Sequence, residues 1–205
     1  MIKIFVMFAA VLVVQVGTGV AKADPSLGQA SFVFDGETVE ITPNSADAVK
    51  YTSRFARLTA SCDPNCIAPQ SAAVGIETVI EPQVLEFLEN TVGEGTGLLV
   101  DARMPEDRAL GFIPGSVNLP HAAMAKREDE GARQPILMAL GARSFEDVYN
   151  FADAQNLMIY DNGPSQNDAG ELIAHLLEVG YPPEKIRYYR GGMQVWSVLA
   201  LTVQE

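Results

Sequence analysis

The sequence contains few of the residues that bind metals, form disulfides or carry positive charge. Its 205 residues include two cysteines, two histidines and one tryptophan, and 14 lysines and arginines stand against 26 aspartates and glutamates. The net charge of −12 argues against binding of nucleic acids or anionic membranes, which both require a basic surface. After the N-terminus no apolar run is long enough to span a membrane. The hydrophobic content of 48% nevertheless predicts a globular protein with a sizeable core.

The N-terminus has the pattern of a secretory signal peptide at residues 1–23. Lys3 supplies an early positive charge, an apolar run follows at residues 4–14, and small residues surround the end of the segment at Ala23. An uncleaved anchor is the weaker alternative, because the run is shorter than the roughly 18 residues of a spanning helix. We expect cleavage after Ala23 and export of the remaining chain to the periplasm or the extracellular space, without membrane attachment.

Residues 24–75 differ from the sequence that follows them. Residues 31–42 predict two short strands joined at Asp35-Gly36, which is a hairpin turn signal. A polar stretch and a long segment with little periodicity come next. We predict an extension made of a β-ribbon and a long loop, which packs against a main domain at residues 76–205.

The extension carries both cysteines, Cys62 and Cys66. In an oxidising compartment an even count predicts a disulfide, and Pro64 between them favours a turn that brings the sulfurs together. So short a ring stabilises by only about 2 kcal/mol and would mainly fix the loop. The pair could instead be redox-active, or bind Cu(I) together with His121 or His175. Neither histidine lies in a metal-spaced motif, so the sequence favours the disulfide and predicts no metal site.

From residue 76 onward strand and helix patterns alternate, which predicts an α/β fold with a mostly parallel sheet covered on both faces. Strands are predicted at residues 77–80, 97–102, 116–120, 156–160 and 186–189. Helical patterns lie at residues 81–90, 134–142, 144–154, 168–180 and 193–200.

Two carboxylates stand at the ends of predicted strands, Asp101 and Asp161. In parallel sheets ligands bind in the crevice outside the carboxyl ends of the strands. The helix after Asp161 has Asp168 as its predicted N-cap, with Glu171 three residues later, and Gly180 as its left-handed stop. The loop in between therefore has the position of an active site.

Two stretches of the main domain resemble the signatures of the rhodanese superfamily. LLVDARMPEDRALGFIPGSVNLP, residues 98–120, resembles the first signature, and YYRGGMQVWSVLALTV, residues 188–203, resembles the closing one. The resemblance implies a rhodanese-like three-layer domain with a central, mostly parallel five-stranded sheet. It implies structural roles in pairing, tight turns and core packing for the matching residues, which include Asp101, Arg103, Gly111, Pro114, Gly115, Gly191, Gly192 and Trp196.

The loop after the predicted strand at residues 156–160 resembles one variant of the rhodanese active-site loop. In active members a cysteine there carries sulfane sulfur as a persulfide, held by loop amides and a helix N-terminus. The resemblance places Asp161 at that cysteine and Gln166 at a second one. Since only sulfur forms a persulfide, we expect no thiosulfate sulfurtransferase activity. The degenerate loop comprises Asp161, Asn162, Gly163, Pro164, Ser165, Gln166, Asn167 and Asp168.

Three hypotheses follow. The first is an exported binding or structural module without cofactor, for an unknown protein or small-molecule partner, in which Asp161 accepts hydrogen bonds from the loop and the helix N-terminus. The second is a sulfur-transfer or thiol-redox protein that works through Cys62 and Cys66. The third is phosphoryl or metal chemistry at Asp161, assisted by Asp101 and Asp168, and it suffers from the lack of lysine and arginine in the loop.

Overall fold

The computed structural model describes a large part of the chain, namely residues 25–43, 47–56, 67–125, 133–145 and 148–205. The predicted signal peptide, Cys62 and Cys66 lie outside the described residues, so cleavage and the disulfide stay predictions. Among the described residues, no helix is long and apolar enough to cross a membrane.

Strands and helices alternate along most of the described chain. The strands are β1 (Ala30–Phe34), β2 (Glu37–Ile41), β3 (Glu77–Val79), β4 (Gly97–Asp101), β5 (Ser116–Asn118), β6 (Arg143–Phe145), β7 (Val148–Asn150), β8 (Asn156–Tyr160) and β9 (Ile186–Tyr189). The α-helices are α1 (Ala48–Phe55), α2 (Glu81–Phe87), α3 (Pro105–Arg108), α4 (His121–Met124), α5 (Gln134–Ala139), α6 (Asp168–Glu178) and α7 (Gly192–Val198). A π-helical turn, Leu88–Val92, continues α2.

The central sheet has five strands in the order β3-β9-β8-β4-β5, and all of its pairings are parallel. The predicted α/β fold with a five-stranded, mostly parallel sheet is therefore confirmed. Successive residues of the central strand β8 point to opposite faces, so Leu157 and Ile159 join one core cluster while Met158 and Tyr160 join the other. The strand is apolar throughout because both faces of the sheet are covered.

Helices cover the two faces of the sheet and complete three layers. Side chains of α2 and α7 fill one core cluster, which contains Trp196, and side chains of α5 and α6 fill the other. In α6 the residues Leu172, Ile173 and Leu176 are buried, as the helical spacing predicts. Gly180 follows the helix with a φ of +88°, which confirms its role as the left-handed stop.

The N-terminal segment forms the predicted ribbon and also adds to the core. β1 and β2 pair around Asp35 and Gly36, which both have positive φ as the tight hairpin turn requires. Phe32 of the ribbon is buried against the same cluster as Trp196. Helix α1, which the sequence did not predict, packs against α7 and buries Phe55. This segment therefore completes one face of the fold.

The helix predicted at residues 144–154 is wrong, because the structure has the antiparallel pair β6 and β7 in that region. Phe145 and Val148 are cross-strand partners, 76% and 69% exposed. An amphipathic helix would bury such side chains on one face. Here their spacing of three residues corresponds to no buried helical face. Among the described residues of this region, Tyr149 and Phe151 pack against the core and Ala154 is buried in it.

Candidate functional site

The candidate site lies where β4 and β8 end side by side. Asp101 and Tyr160 are register partners at the carboxyl ends of these strands. Asp161 follows Tyr160 directly, and α6 begins at Asp168. The loop predicted from sequence as an active-site position therefore stands at the carboxyl edge of the sheet, where such folds bind ligands.

The carboxylate of Asp161 is fully buried and accepts hydrogen bonds from two backbone amides. Gly163 N–H donates to Oδ1 over 2.8 Å, and Ala169 N–H donates to Oδ2 over 3.0 Å. This confirms that Asp161 binds the loop and the helix N-terminus. The predicted capping box is wrong: the N-cap is Asn167, without a side-chain capping hydrogen bond. The amide of Ala169, which an N-cap side chain can otherwise bind, donates its hydrogen bond to Asp161 instead.

The backbone around Asp161 requires two glycines. Gly163 has a φ of +122° and Gly192 a φ of +54°. A Cβ at Gly192 would lie 2.4 Å from the carbonyl oxygen of Asp161. The close approach lets Met193 N–H donate to that same oxygen over 3.1 Å. The glycine pair at the start of α7 thus allows the turn that the family resemblance implied and brings α7 against the loop.

Burial raises the pKa of Asp161 to about 7. The two amide hydrogen bonds oppose this effect, while the charges of Asp168 and Asp101 add to it. Burial also raises the pKa of Asp168, and the neighbouring His121 counteracts the rise. The carboxyl group in the loop is therefore poised to exchange a proton near neutral pH.

A second buried polar cluster lies beside the loop and is centred on Asp101. Its Oδ1 accepts from Arg103 Nε over 2.9 Å, and its Oδ2 accepts from Arg103 Nη2 over 2.6 Å and from Tyr160 Oη over 3.0 Å. Arg108 Nη1 lies 3.2 Å from Oδ2, and Arg103 also donates to the carbonyl of Gly111. Both carboxylate oxygens of Asp101 accept hydrogen bonds from buried donors within the cluster. The cluster is therefore structural, as the resemblance implied. Asp101 has no oxygen free for a metal.

The other signature residues have structural roles as well. Pro114 and Gly115 form a turn closed by Ser116 N–H donating to the carbonyl of Ile113, with Gly115 at a φ of +79°. Trp196 is fully buried in the core, and its Nε1 donates to the carbonyl of Thr202 over 2.8 Å. These residues hold the strand ends and α7 in place around the loop.

Comparison with known proteins identifies the family. The rhodanese-like domain model matches residues 84–199, more than half of the chain. The chain belongs to the rhodanese-like domain family. None of the curated proteins matches it.

Two solved structures similar to this rhodanese-like chain illustrate the match. The human single-domain sulfurtransferase TSTD1 is 21% identical with a TM-score of 0.38, and the match covers 60% of this chain and 96% of that one. The reduced CoADR-RHD of Bacillus anthracis is 20% identical with a TM-score of 0.38, and the match covers 61% of this chain. It spans only 17% of the length of that larger protein.

In this rhodanese-like domain the N-terminal segment is joined to the loop directly by Ala68 and, through Gln194 of α7, by Phe55. Gln194 Nε2 donates to Ser165 Oγ over 2.7 Å and to the carbonyl of Phe55 over 3.1 Å. Ala68 N–H donates to the carbonyl of Pro164 over 2.8 Å. The guanidinium of Arg190 donates to the carbonyls of Ala68 and Pro69. Sequence reasoning missed Gln194, Phe55 and Ala68, because their contacts join segments far apart in the chain.

Both histidines of the rhodanese-like domain lie beside carboxylate side chains. His121 Nε2 lies 3.5 Å from Glu171 Oε2, and its Nδ1 lies 3.9 Å from Asp168 Oδ1. His175 is half-buried on α6, and its Nδ1 lies 3.9 Å from Glu178 Oε2. The described part of the chain contains no group of three or more histidine, cysteine, aspartate or glutamate side chains placed to hold a metal ion.

Proposed function

We propose that this chain is an exported rhodanese-like protein that does not transfer sulfur at the 161–168 loop and acts as a binding or structural module. One observation carries the proposal. The carboxylate of Asp161 is bonded to the two amides, of Gly163 and Ala169, that would otherwise face an anion in this loop. The position that the family resemblance assigns to the catalytic cysteine is thus occupied by a side chain that serves the loop itself.

The chemistry of the side chain supports the same conclusion. Sulfur transfer requires a thiolate that attacks the sulfane sulfur and holds it as a persulfide. A carboxylate forms no such bond. When ionised, the carboxylate of Asp161 also repels an anionic donor such as thiosulfate, and when protonated it still occupies the space between the two amides.

Export is part of the proposal and rests on the N-terminal sequence. The charged, apolar and small-residue regions of residues 1–23 follow the order of a secretory signal. Expression with its own N-terminus in a bacterium, followed by N-terminal sequencing of the exported fraction, tests this directly. A chain that begins at Asp24 supports export, and retention of residues 1–23 on the cell-associated protein contradicts it.

The activity assay is the decisive test of the proposed function. Purified protein is incubated with thiosulfate and cyanide, and thiocyanate formation is compared with that of an active rhodanese at equal concentration. We expect no thiocyanate above the protein-free background at any pH from 5 to 9, because loss of the thiol is independent of pH. Appreciable turnover that survives in an Asp161→Asn variant would place sulfur transfer elsewhere in the chain.

A second candidate function is sulfur transfer or thiol redox chemistry through Cys62 and Cys66. The observation that favours it is the docking of the flanking residues, since Phe55 and Ala68 both contact residues next to the loop. Thiol titration in denaturant with and without prior reduction tests whether the pair is a disulfide. An assay of disulfide reduction then compares the protein with a Cys62→Ser/Cys66→Ser variant. An inert disulfide, with equal activity in both proteins, removes this candidate.

A further inference from the structure

We propose that the groove between the 161–168 loop and Arg190 recognises the main chain of an extended peptide in which a small residue precedes proline. Ala68 and Pro69 occupy this groove as an intramolecular ligand, and a partner protein with the same local chemistry would replace them. The inference rests on the binding role proposed above and names the ligand class of that site.

The groove forms hydrogen bonds with three backbone atoms of the docked segment. Ala68 N–H donates to the carbonyl of Pro164 over 2.8 Å. Arg190 donates from Nη2 to the carbonyl of Ala68 over 3.0 Å and from Nε to the carbonyl of Pro69 over 3.1 Å. One acceptor and one forked donor therefore bind successive main-chain groups, which is how a groove recognises an extended segment without reading long side chains.

The groove accepts only a small side chain at its centre. Ala68 is 3% exposed, whereas its neighbour Ile67 is 71% exposed and Pro69 is also at the surface. The residue before a proline is held in an extended conformation by steric contact with the proline ring. An Ala-Pro pair therefore already has the extended conformation that the groove binds. A bulkier residue in place of Ala68 would collide with the wall of the groove.

The segment that carries the intramolecular ligand has no regular secondary structure. Residues 67–76 form neither helix nor strand. Beyond the three main-chain contacts, the segment is anchored by Thr78 Oγ1 donating to the carbonyl of Gln70 over 2.7 Å, by the burial of Ile76 in the core and by the partial burial of Ala72 and Ala73. These anchors from residue 70 onward are separate from the contacts of Ala68 and Pro69, so we expect those two residues to leave the groove while the rest of the fold persists.

The groove is also attached to the candidate site. Pro164 belongs to the same loop as Asp161, whose carboxylate fixes the loop through the amides of Gly163 and Ala169. Arg190 directly precedes the glycine pair at the start of α7. The position that serves catalysis in active family members thus serves here to hold one wall of a binding groove.

A variant that expels its own ligand provides the main test. Ala68→Trp should empty the groove, while Val74→Trp, at a position that is 99% exposed, is its matched control. The probe is the acetylated and amidated peptide of residues 67–72, carrying a fluorophore and measured by anisotropy. We expect saturable binding to the Ala68→Trp variant and at least tenfold weaker binding to the Val74→Trp variant, whose own segment competes.

The requirement for Arg190 is tested in the emptied variant. Adding Arg190→Gln should abolish peptide binding, whereas adding Arg187→Gln should leave it unchanged, because Arg187 pairs with Glu77 elsewhere on the sheet. A probe peptide with tryptophan at the alanine position should not bind. A folded Ala68→Trp variant that fails to bind the probe, or binds it independently of Arg190, overturns the inference.

Hydrogen exchange keeps the inference testable if the Ala68→Trp variant does not fold. Excess probe peptide added to the unmodified protein should accelerate exchange of the Ala68 amide, because the peptide displaces the segment and exposes that N–H. An unchanged exchange rate at saturating peptide contradicts the inference. Thiocyanate assays on the same samples report separately on the proposed lack of sulfur transfer, so either proposal can fail alone.

Discussion

The carboxylate of Asp161 accepts a hydrogen bond over 3.0 Å from the backbone amide of Ala169, eight residues further along the chain. Its other oxygen binds the amide of Gly163. One side chain thereby joins the end of β8, the middle of the loop and the first turn of α6. The two amides that could hold an anion in this loop are therefore bound to a side chain of the protein itself.

The pKa of Asp161 should make stability depend on pH. Burial raises this pKa from 3.8 to about 7, so between those values the folded protein binds more protons than the unfolded chain. Stability should therefore fall as the pH rises through this window and level off above about 7. Urea unfolding at successive pH values measures the effect. Asp161→Asn should flatten the decline, apart from the contribution of Asp168, whose pKa is also raised.

The control for this experiment is an exposed carboxylate. Asp153 pairs with Arg143 at the surface, and Asp153→Asn should keep the decline seen in the unmodified protein. A profile that is the same in the Asp161→Asn and Asp153→Asn variants would show that another group carries the pH dependence.

Asp161→Cys should create thiosulfate sulfurtransferase activity. The substitution supplies a thiol at the position that the family resemblance assigns to the catalytic cysteine, and it releases the amides of Gly163 and Ala169 to hold the anionic persulfide. Thiocyanate formation should rise above the background of the unmodified protein. Asp168→Cys, in the same loop but without those amide contacts, should stay inactive. A folded but inactive Asp161→Cys variant would mean that the loop has lost more than its nucleophile.

Arg103→Met should destabilise the fold strongly. The substitution removes the guanidinium contacts and leaves the buried carboxylate of Asp101 with Arg108, Tyr160 and the backbone amide of residue 103 as partners. Removal of one member of a buried ion pair costs about 3–5 kcal/mol. Arg187→Met breaks an exposed pair with Glu77 and should cost about 0–1 kcal/mol. Thermal or urea unfolding compares the two, and equal losses would contradict a structural role for the Asp101 cluster.

Gly192→Ala should destabilise more than Gly36→Ala. Both glycines have positive φ, so each substitution costs about 1–2 kcal/mol in backbone strain. A Cβ at Gly36 meets nothing within 4 Å, whereas one at Gly192 lies 2.4 Å from the carbonyl oxygen of Asp161. Overpacking should add about 1–3 kcal/mol at Gly192 only. Similar unfolding free energies for the two variants would show that α7 can move away from the loop.

Local sequence signals predicted most of the central domain. All five strands of the sheet, α6 with its stop at Gly180, and the hairpin turn at Asp35-Gly36 were found from apolar spacing and turn residues. Those signals act over a few residues, so they can be read without knowledge of the fold. The helix predicted at residues 144–154 failed because the spacing of apolar residues in a short segment does not reveal whether that face is buried.

The sequence by itself determined the sheet, the loop at the end of β8 and the carboxylate at the position that the family resemblance assigns to a cysteine. Only the tertiary structure decided how that carboxylate is used, because its partners Gly163 and Ala169 come into range when β8 and α6 pack together. The same holds for Ala68 and Arg190, which are 122 residues apart in the chain and meet across the loop. Contacts between such distant segments depend on the whole fold, and no local pattern of residues encodes them.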